Sequence, residues 1–357
     1  MSHFHPLTVR NIQRETPESV VIELETPNNS SEFNYKSGQY LTFSLNINGE
    51  DLHRSYSICS APHENKLQVA VKEVENGRMS SYLNRNLKSG DKLMSMIPMG
   101  KFFVPFNSQN RKHYVFFAAG SGITPIISLI KTVLKEEANS MVTLFYGNRS
   151  SSGTIFRNEL NNLAQNDQFK LYSIYSNNES SSPLFAGRIN FGKTLELINN
   201  YCKDDFSKEY FICGPAEMIQ SVSEALKDNN ISPELIHFEY FAPPTEKKNE
   251  EKIAVVVTSE SDFTGEAKLE VILDDRTYNF NLNNKGISVL DAVLDQGADA
   301  PYSCKGGVCT TCRARILEGS VKMDSNFALT DSEIKGGYIL TCQSHPTSSV
   351  LKVSYDV

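Results

Sequence analysis

The sequence has no excess of positive charge. Its 35 lysines and arginines are outnumbered by 42 aspartates and glutamates, giving a net charge of -7 over 357 residues. Nucleic-acid binding starts from a basic surface, so a nucleic-acid partner is not expected. The chain opens Met1-Ser2-His3-Phe4-His5, without a basic-then-apolar leader. Export through a signal peptide is therefore not expected, and a cytoplasmic location is. Long apolar runs are missing as well. The most apolar stretch, Tyr114 to Ile130, is broken by Gly120, Ser121, Gly122, Thr124 and Pro125. A membrane span needs about 20 mostly apolar residues, so this stretch reads as a strand, a loop and a helix start, and no membrane partner is expected. No internal repeat and no low-complexity tract stands out.

What is present is ordinary for a folded protein: 39% hydrophobic and 22% charged residues. The length suits two or three domains. The charge is uneven. Between Ala254 and Val357 there are 9 basic and 14 acidic residues, a net of -5, which leaves only -2 for the rest. The last third is thus a separately acidic module suited to a basic partner surface.

Three rhythms follow one another. Residues 1–105 hold short apolar runs between turn signals, such as Leu7–Val9, Val20–Leu24, Tyr40–Leu45 and Leu67–Val71, with one short helix at Met79–Leu87. Such spacing predicts a small antiparallel barrel. Residues 106–241 alternate strand-like and helical patterns: Tyr114–Ala118, Ile126–Lys135, Val142–Tyr146, Ile155–Ala164, Leu171–Tyr175, Tyr210–Cys213, Ala216–Lys227 and Leu235–Phe238. That alternation predicts an α/β domain with a parallel sheet. The polar, proline-led stretch 242–252 reads as a linker that lets the flanking modules move. Residues 253–357 give strands at Ile253–Thr258, Leu269–Leu273 and Tyr278–Leu282, a helix at Val289–Asp295 capped by Ser288, and then a cysteine loop.

In a reducing compartment seven cysteines point to metal ligands or buried thiols rather than disulfides. Cys304, Cys309 and Cys312 are spaced C-x4-C-x2-C, and Cys342 follows after 29 intervening residues. This is the plant-type spacing for a [2Fe-2S] cluster. Two bridged irons need four thiolates, three of them on one tight loop. Lys305-Gly306-Gly307-Val308 and Thr310-Thr311 let the backbone wrap the cluster, glycine tolerating positive φ. A structural zinc site would favour paired C-x2-C knuckles, and only one such pair exists. Cys59 and Cys202 lack partners and read as core thiols. The loop resembles that of plant-type ferredoxins, in the variant attached to oxygenase reductases.

After the strand Tyr114–Ala118 comes Ala119-Gly120-Ser121-Gly122-Ile123-Thr124-Pro125. Gly120 and Gly122 let backbone approach a pyrophosphate. Thr124 is expected to cap the next helix and Pro125 to sit in its first turn, whose N-terminus would face the phosphates. Proline replaces the third glycine of the Rossmann fingerprint. Selectivity between NADPH and NADH is expected after the next strand, where an acid would take the ribose hydroxyl and an arginine the 2′-phosphate. The chain offers Arg149 and Ser150, with Arg157 nearby and no acid between them. NADPH is therefore expected, NADH less so.

Arg54-Ser55-Tyr56-Ser57 matches the R-x-Y-[ST] signature of ferredoxin–NADP reductase-type flavoproteins. Arg54 can neutralise a flavin pyrophosphate, Tyr56 can stack on the ring system and Ser57 can bond near the reactive nitrogen. Gly77-Arg78-Met79-Ser80-Ser81 resembles the family's second pyrophosphate loop. Pro98-Met99-Gly100-Lys101-Phe102 resembles the element that closes its barrel. Cys213-Gly214-Pro215 resembles its C-G-P turn, where the thiol lies near the nicotinamide, and Glu239-Tyr240-Phe241 its E-x-F end, which borders the flavin. With the motifs in the family's order, the chain resembles the multidomain oxygenase reductases of the ferredoxin–NADP reductase superfamily that carry a C-terminal [2Fe-2S] domain.

The resemblance implies an antiparallel β-barrel for FAD, an α/β parallel-sheet domain for NADPH and a β-grasp-like ferredoxin domain. It implies catalytic roles for Ser57, Cys213 and Glu239. It also implies electron transfer to an oxygenase component, here a multisubunit di-iron epoxidase. A reductase for another oxygenase, hydroxylase or desaturase is the alternative, and a redox sensor a more distant one.

Overall fold

Alternation of inward apolar and outward polar residues builds the first sheet. Six strands, β1 (His5–Thr16), β2 (Ser19–Glu25), β3 (Tyr40–Ile47), β4 (Glu50–Ser57), β5 (Leu67–Lys72) and β6 (Lys92–Ser95), pair antiparallel in the order β4-β3-β6-β1-β2-β5. An isolated bridge between Ile58 and Val69 joins the two ends, which removes the open edges and makes a barrel. Val9, Ile22, Leu41 and Phe43 fill its interior. The helix α1 (Arg78–Arg85) follows β5. Met99 bridges to Tyr40, and Gly100 passes under that ring with φ 111, where a Cβ would lie 2.9 Å from Tyr40 Cδ1.

The computed structural model describes residues 3–27, 30–177, 179–244, 253–256 and 263–356. Two compact units emerge, Phe4–Phe241 and a second made of Met1–His3 with Ala242–Val357. Most of the expected linker, and the last two residues of the expected strand at 253–258, lie outside the described residues.

The rest of the first unit is a parallel sheet. Its elements are β7 (Lys112–Ala119), α2 (Ile123–Glu136), β8 (Met141–Asn148), α3 (Arg157–Leu163), β9 (Phe169–Tyr175), α4 (Phe191–Tyr201), β10 (Ser207–Gly214), α5 (Ala216–Asp228) and β11 (Ile236–Tyr240). The strand order is β11-β10-β7-β8-β9. Both faces are covered, so β7 is apolar from Tyr114 onward: Tyr114, Phe116 and Ala118 enter one core and Val115 and Phe117 the other. The order reverses at β7, which opens a crevice at the carboxyl ends of the strands. Two elements differ from what the sequence pattern predicts. The pattern over Ile155–Ala164 begins as helix only at Arg157, because Phe156 takes a left-handed φ of 59. The helix α4 is additional; Gly192 and two asparagines weaken its pattern, and Asn190 caps it by accepting from Lys193 N–H.

The second unit contains β12 (Ile253–Val256), β13 (Glu266–Leu273), β14 (Arg276–Asn283), α6 (Val289–Asp295), β15 (Arg313–Glu318), β16 (Ser320–Met323), α7 (Asp331–Lys335), β17 (Tyr338–Leu340), β18 (Ser344–Pro346) and β19 (Val350–Ser354). The main sheet runs β14-β13-β19-β15-β17, with β13 and β19 parallel, and β12-β16-β18 form a small second sheet. Val289, Leu290 and Val293 of α6 pack on Leu269, Val271 and Val353. Ser288 caps α6 as expected, accepting from Asp291 N–H. This is a β-grasp-like domain.

Candidate functional site

The glycine loop between β7 and α2 reaches across the crevice. Gly120 takes φ 53, and a Cβ at Gly122 would lie 2.1 Å from Cys213 O and 2.7 Å from Gly214 N. Only hydrogen fits there, so the loop lies directly on the Cys213-Gly214-Pro215 turn. Thr124 does not cap α2. Gly122 holds the capping position, and Thr124, the second helical residue, donates backward to Ser121 O at 3.0 Å. Pro125 sits in the first turn as expected. No side chain caps α2, so its first N–H groups can meet an anion. Pro215 O accepts from Met218 N–H and Ile219 N–H to start α5.

Tyr146, fully buried on β8, holds two loops from below. Its hydroxyl lies 3.0 Å from Gly120 O and 3.3 Å from Ile155 O. At the end of β8, Asn148 Nδ2 is buried without a partner. Arg149 and Arg157 are exposed, and neither is salt-bridged among the described residues. Ser150 orders the loop by accepting from Gly153 N–H at 3.3 Å and, through its carbonyl, from Thr154 Oγ1 at 2.9 Å. The local sequence has no acid here, yet Glu179 arrives from the segment after β9 and accepts from Ser151 N–H at 2.9 Å. Nothing in the sequence marks Tyr146 or Glu179.

On the barrel, Arg54, Tyr56 and Ser57 end β4 opposite Phe43, Leu41 and Tyr40. Arg54 is exposed and donates to His53 O at 2.7 Å, and the Tyr56 ring lies 5.6 Å from that of Phe43. Near the start of α1, Ser80 Oγ donates to Gly77 O and accepts from Val74 N–H, both at 3.1 Å, while Ser81 Oγ donates to Glu73 at 3.0 Å. Ser57 Oγ donates to Glu239 Oε2 at 3.4 Å, and the β10–β11 register sets Cys213 beside Glu239. Glu239 is half-exposed as a residue, but its carboxyl is hemmed in by protein. That burial, opposed only by Ser57, raises its pKa to about 8. Burial, and then the neighbouring Glu239, push the Cys213 thiol well up, so it stays protonated. Phe241 is exposed at the end of the unit. The structure therefore gathers Ser57, Cys213, Glu239, Gly122 and Gly214 at one crevice. Arg149 and Ser150 belong to the loop that follows Asn148 at the end of β8, and Arg157 opens α3 after it.

In the second unit the four cysteines meet. Cys309 Sγ–H donates to Cys304 Sγ at 3.1 Å, and Gly306 N–H donates to the same sulfur at 3.3 Å. Cys342 is in contact with both Cys304 and Cys312. Thiol donors hold Cys304 and Cys312 low, while Cys309 and Cys342 are pushed up by those sulfurs and by burial. Four thiolates cannot coexist so closely without positive charge among them, which fits an iron cluster. The contacts run as a chain of pairs, and among the described residues no group of three or more ligand side chains is arranged around one metal ion. Loop geometry differs from the expectation in one respect. Lys305, not Gly306, takes the left-handed conformation, with φ 48 beside Gly307 at 74. Gly306 is needed for space instead, since its Cβ would lie 2.5 Å from Pro243 Cγ. Gln343, which the sequence does not single out, donates to Lys305 O and Cys342 O at 3.0 Å and lies 3.6 Å from Cys342 Sγ. Cys59 and Cys202 are buried, and Cys59 Sγ donates to Gln68 O at 3.3 Å.

Comparison with known proteins agrees with this division. An oxidoreductase FAD-binding domain model matches residues 6–104, an oxidoreductase NAD-binding domain model 116–224 and a 2Fe-2S iron-sulfur cluster binding domain model 271–347. One subunit of the 1,2-phenylacetyl-CoA epoxidase of Escherichia coli (strain K12) is 38% identical over all of this chain and 99% of its own length. The chain belongs to the oxygenase reductases of the ferredoxin–NADP reductase type with a C-terminal [2Fe-2S] domain. It is an NAD(P)H-dependent flavin and iron–sulfur reductase. The ferredoxin reductase component of 3-ketosteroid-9-alpha-monooxygenase from Rhodococcus rhodochrous is 30% identical to the reductase over 98% of this chain and 96% of its own. The fold is that of phthalate dioxygenase reductase, with TM-score 0.59 at 22% identity over 98% of both chains. No helix among the described residues of the reductase is long and apolar enough to cross a membrane.

Proposed function

We propose that this chain takes electrons from NADPH and delivers them, by way of FAD and the [2Fe-2S] cluster, to an oxygenase component in the cytoplasm. The full-length relative at 38% identity supports a narrower reading, in which the acceptor is a multisubunit di-iron epoxidase acting on phenylacetyl-CoA in phenylacetate breakdown. The domains in this reading are 1–105 for FAD, 106–241 for NADPH, 242–252 as linker and 253–357 for the cluster. The observation that carries the NADPH part is that Arg149 and Arg157, at the two ends of the loop after β8, are both exposed and neither is salt-bridged among the described residues.

FAD held by the barrel residues would supply the conversion between two-electron hydride chemistry and single-electron transfer, and the cluster held by the four cysteines would supply the one-electron outlet. The protein's part is placement. Arg54 balances the FAD pyrophosphate together with Gly77, Ser80 and Ser81, while Tyr56 and Phe241 flank its ring system. Gly120, Gly122, Thr124 and Pro125 present the α2 N-terminus to the NADPH pyrophosphate. Arg149, Ser150 and Arg157 hold the 2′-phosphate. Cys213, Gly214 and Pro215 form the floor on which the nicotinamide lies, a neutral thiol there being shape rather than nucleophile. Glu239 holds a proton on its carboxyl at neutral pH, and Ser57 fixes that carboxyl at the barrel edge. Cys304, Cys309, Cys312 and Cys342 hold the cluster.

The test is reconstitution. The purified chain, NADPH and the di-iron epoxidase component should convert phenylacetyl-CoA, and a 3-ketosteroid monooxygenase component should be a poor acceptor. Fast NADPH oxidation with an artificial acceptor but none with the epoxidase would move the partner to another oxygenase. Arg149→Ala should raise KM for NADPH far more than for NADH, and an equal effect on both would overturn the cofactor choice.

A further inference from the structure

The segment after β9 lies along the loop after β8. Ser176 N–H donates to Asn148 O at 3.0 Å and Asn177 N–H to Arg149 O at 3.1 Å. This zipper brings Glu179 to Ser151 from 28 residues away in sequence. Its Oε2 accepts from Ser151 N–H at 2.9 Å, and its Oε1 accepts from Asn177 Nδ2 at 2.6 Å. On a loop carrying two arginines that form no salt bridge among the described residues, Glu179 accepts at the Ser151 end, while Glu15 Oε1 accepts from Phe156 N–H at 2.8 Å at the other end.

We infer that Glu179 is a nucleotide-discriminating residue. Its carboxylate occupies the anion position at the Ser150–Ser151 end of the loop, so the 2′-phosphate of NADPH must displace it there, whereas the ribose hydroxyls of NADH can bond to it. The inference rests on the NADPH reading above and deepens it. A backbone N–H beside a guanidinium is a donor set for phosphate oxygens, and one carboxylate already uses it. Two anions cannot share it, so the loop is self-occupied until the phosphate arrives. Glu179 is ionised when this happens: the Asn177 amide first, then the Ser151 N–H, hold its carboxyl below the usual range, with the Arg157 charge adding to them. With hydroxyls in place of the phosphate the sign reverses, because a carboxylate accepts from a ribose diol. Such a residue narrows the gap between the two nucleotides without touching the nicotinamide end.

The experiment is calorimetric titration of the holoprotein with adenosine 2′,5′-bisphosphate and with 5′-AMP. Glu179→Gln keeps an acceptor oxygen for Ser151 N–H and loses the charge together with the acceptor for Asn177 Nδ2. It should bind the bisphosphate about fivefold tighter, the scale of one exposed charge interaction, and bind 5′-AMP no better than before. KM for NADPH should fall in step while kcat stays fixed. Equal changes for both ligands, or none, overturn the inference. Arg157→Ala separates the two readings. If it weakens the bisphosphate alone and Glu179→Gln is silent, the role of Glu179 falls and the NADPH reading stands. If neither variant distinguishes the two ligands, both fall.

Discussion

Ser57 Oγ donates to Glu239 Oε2 at 3.4 Å, so the last residue of β4 in the barrel is tied to β11 of the parallel sheet. One weak hydrogen bond spans 182 residues of sequence and places a protonated carboxyl where the two halves of the first unit meet. Glu239→Gln keeps the shape and removes the titration. We expect kcat to fall about tenfold or more, the lower part of the range for a lost proton-handling group, with KM for NADPH little changed. The pH dependence has a definite sign. The folded value of about 8 lies above the ordinary 4.5, so the unfolded chain releases this proton first. The resulting penalty is absent below pH 4.5, grows as pH rises and is complete above about 8. Thermal unfolding of FAD-stripped protein across that window should therefore show falling stability, and the slope should flatten in Glu239→Gln.

Gly122→Ala tests the crossing of the two loops. The new methyl would lie 2.1 Å from Cys213 O and 2.4 Å from its carbon, both backbone atoms that cannot rotate away. Relief requires moving either the glycine loop or the Cys213 turn. We expect a loss of about 1–3 kcal/mol in stability, as for other overpacked sites, read as a lower Tm. KM for NADPH should rise as well, because the same movement lifts the N-terminus of α2. Gly153→Ala is the control, since its nearest neighbour would be at 3.5 Å.

How far the sequence reaches is visible in these residues. The four cysteines are legible because their spacing is local and few chemistries use it. The glycine loop is legible because a strand, Gly120, Gly122 and Pro125 follow one another within a short stretch. Thr124 misleads: a threonine near a helix start suggests a cap, but the close approach to Cys213 O shifts the cap to Gly122. Lys305 misleads because the adjacent glycines look like the natural owners of positive φ, while packing against Pro243 claims Gly306. Glu179 and Gln343 are not legible at all. Each acts on a loop that sheet pairing or a turn brings alongside, and neither glutamate nor glutamine carries a local signature for that.

Tyr146→Phe isolates the support beneath the nucleotide loops. The hydroxyl serves Gly120 O and Ile155 O, and the ring itself stays buried in the variant. Removing the hydroxyl leaves buried carbonyls without that donor, at about 1–3 kcal/mol. We expect KM for NADPH to rise with kcat nearly unchanged, because the loops lose registry while the nicotinamide end keeps its floor. A fall in kcat alone would mean that Tyr146 acts on the flavin side.

Cys309→Ala and Gln343→Leu divide the cluster from the rest of the chain. The first removes one of four sulfurs and should abolish the iron–sulfur absorption, while NADPH still reduces the flavin in the separate first unit. Loss of flavin reduction as well would show that the units are not independent. Gln343→Leu is subtler. Its amide joins the carbonyl of Lys305 to the carbonyl of Cys342 and approaches Cys342 Sγ at 3.6 Å, so it fastens the three-cysteine loop to the fourth ligand. Donors near sulfur favour the more negative, reduced state. The variant should therefore assemble a cluster whose midpoint potential is lower than in the parent and which bleaches faster under a chelator. Gln343→Glu should lower the potential further, since it exchanges the donor for a negative charge. An unchanged potential in both variants, measured by spectroscopic titration, would reduce Gln343 to a packing residue.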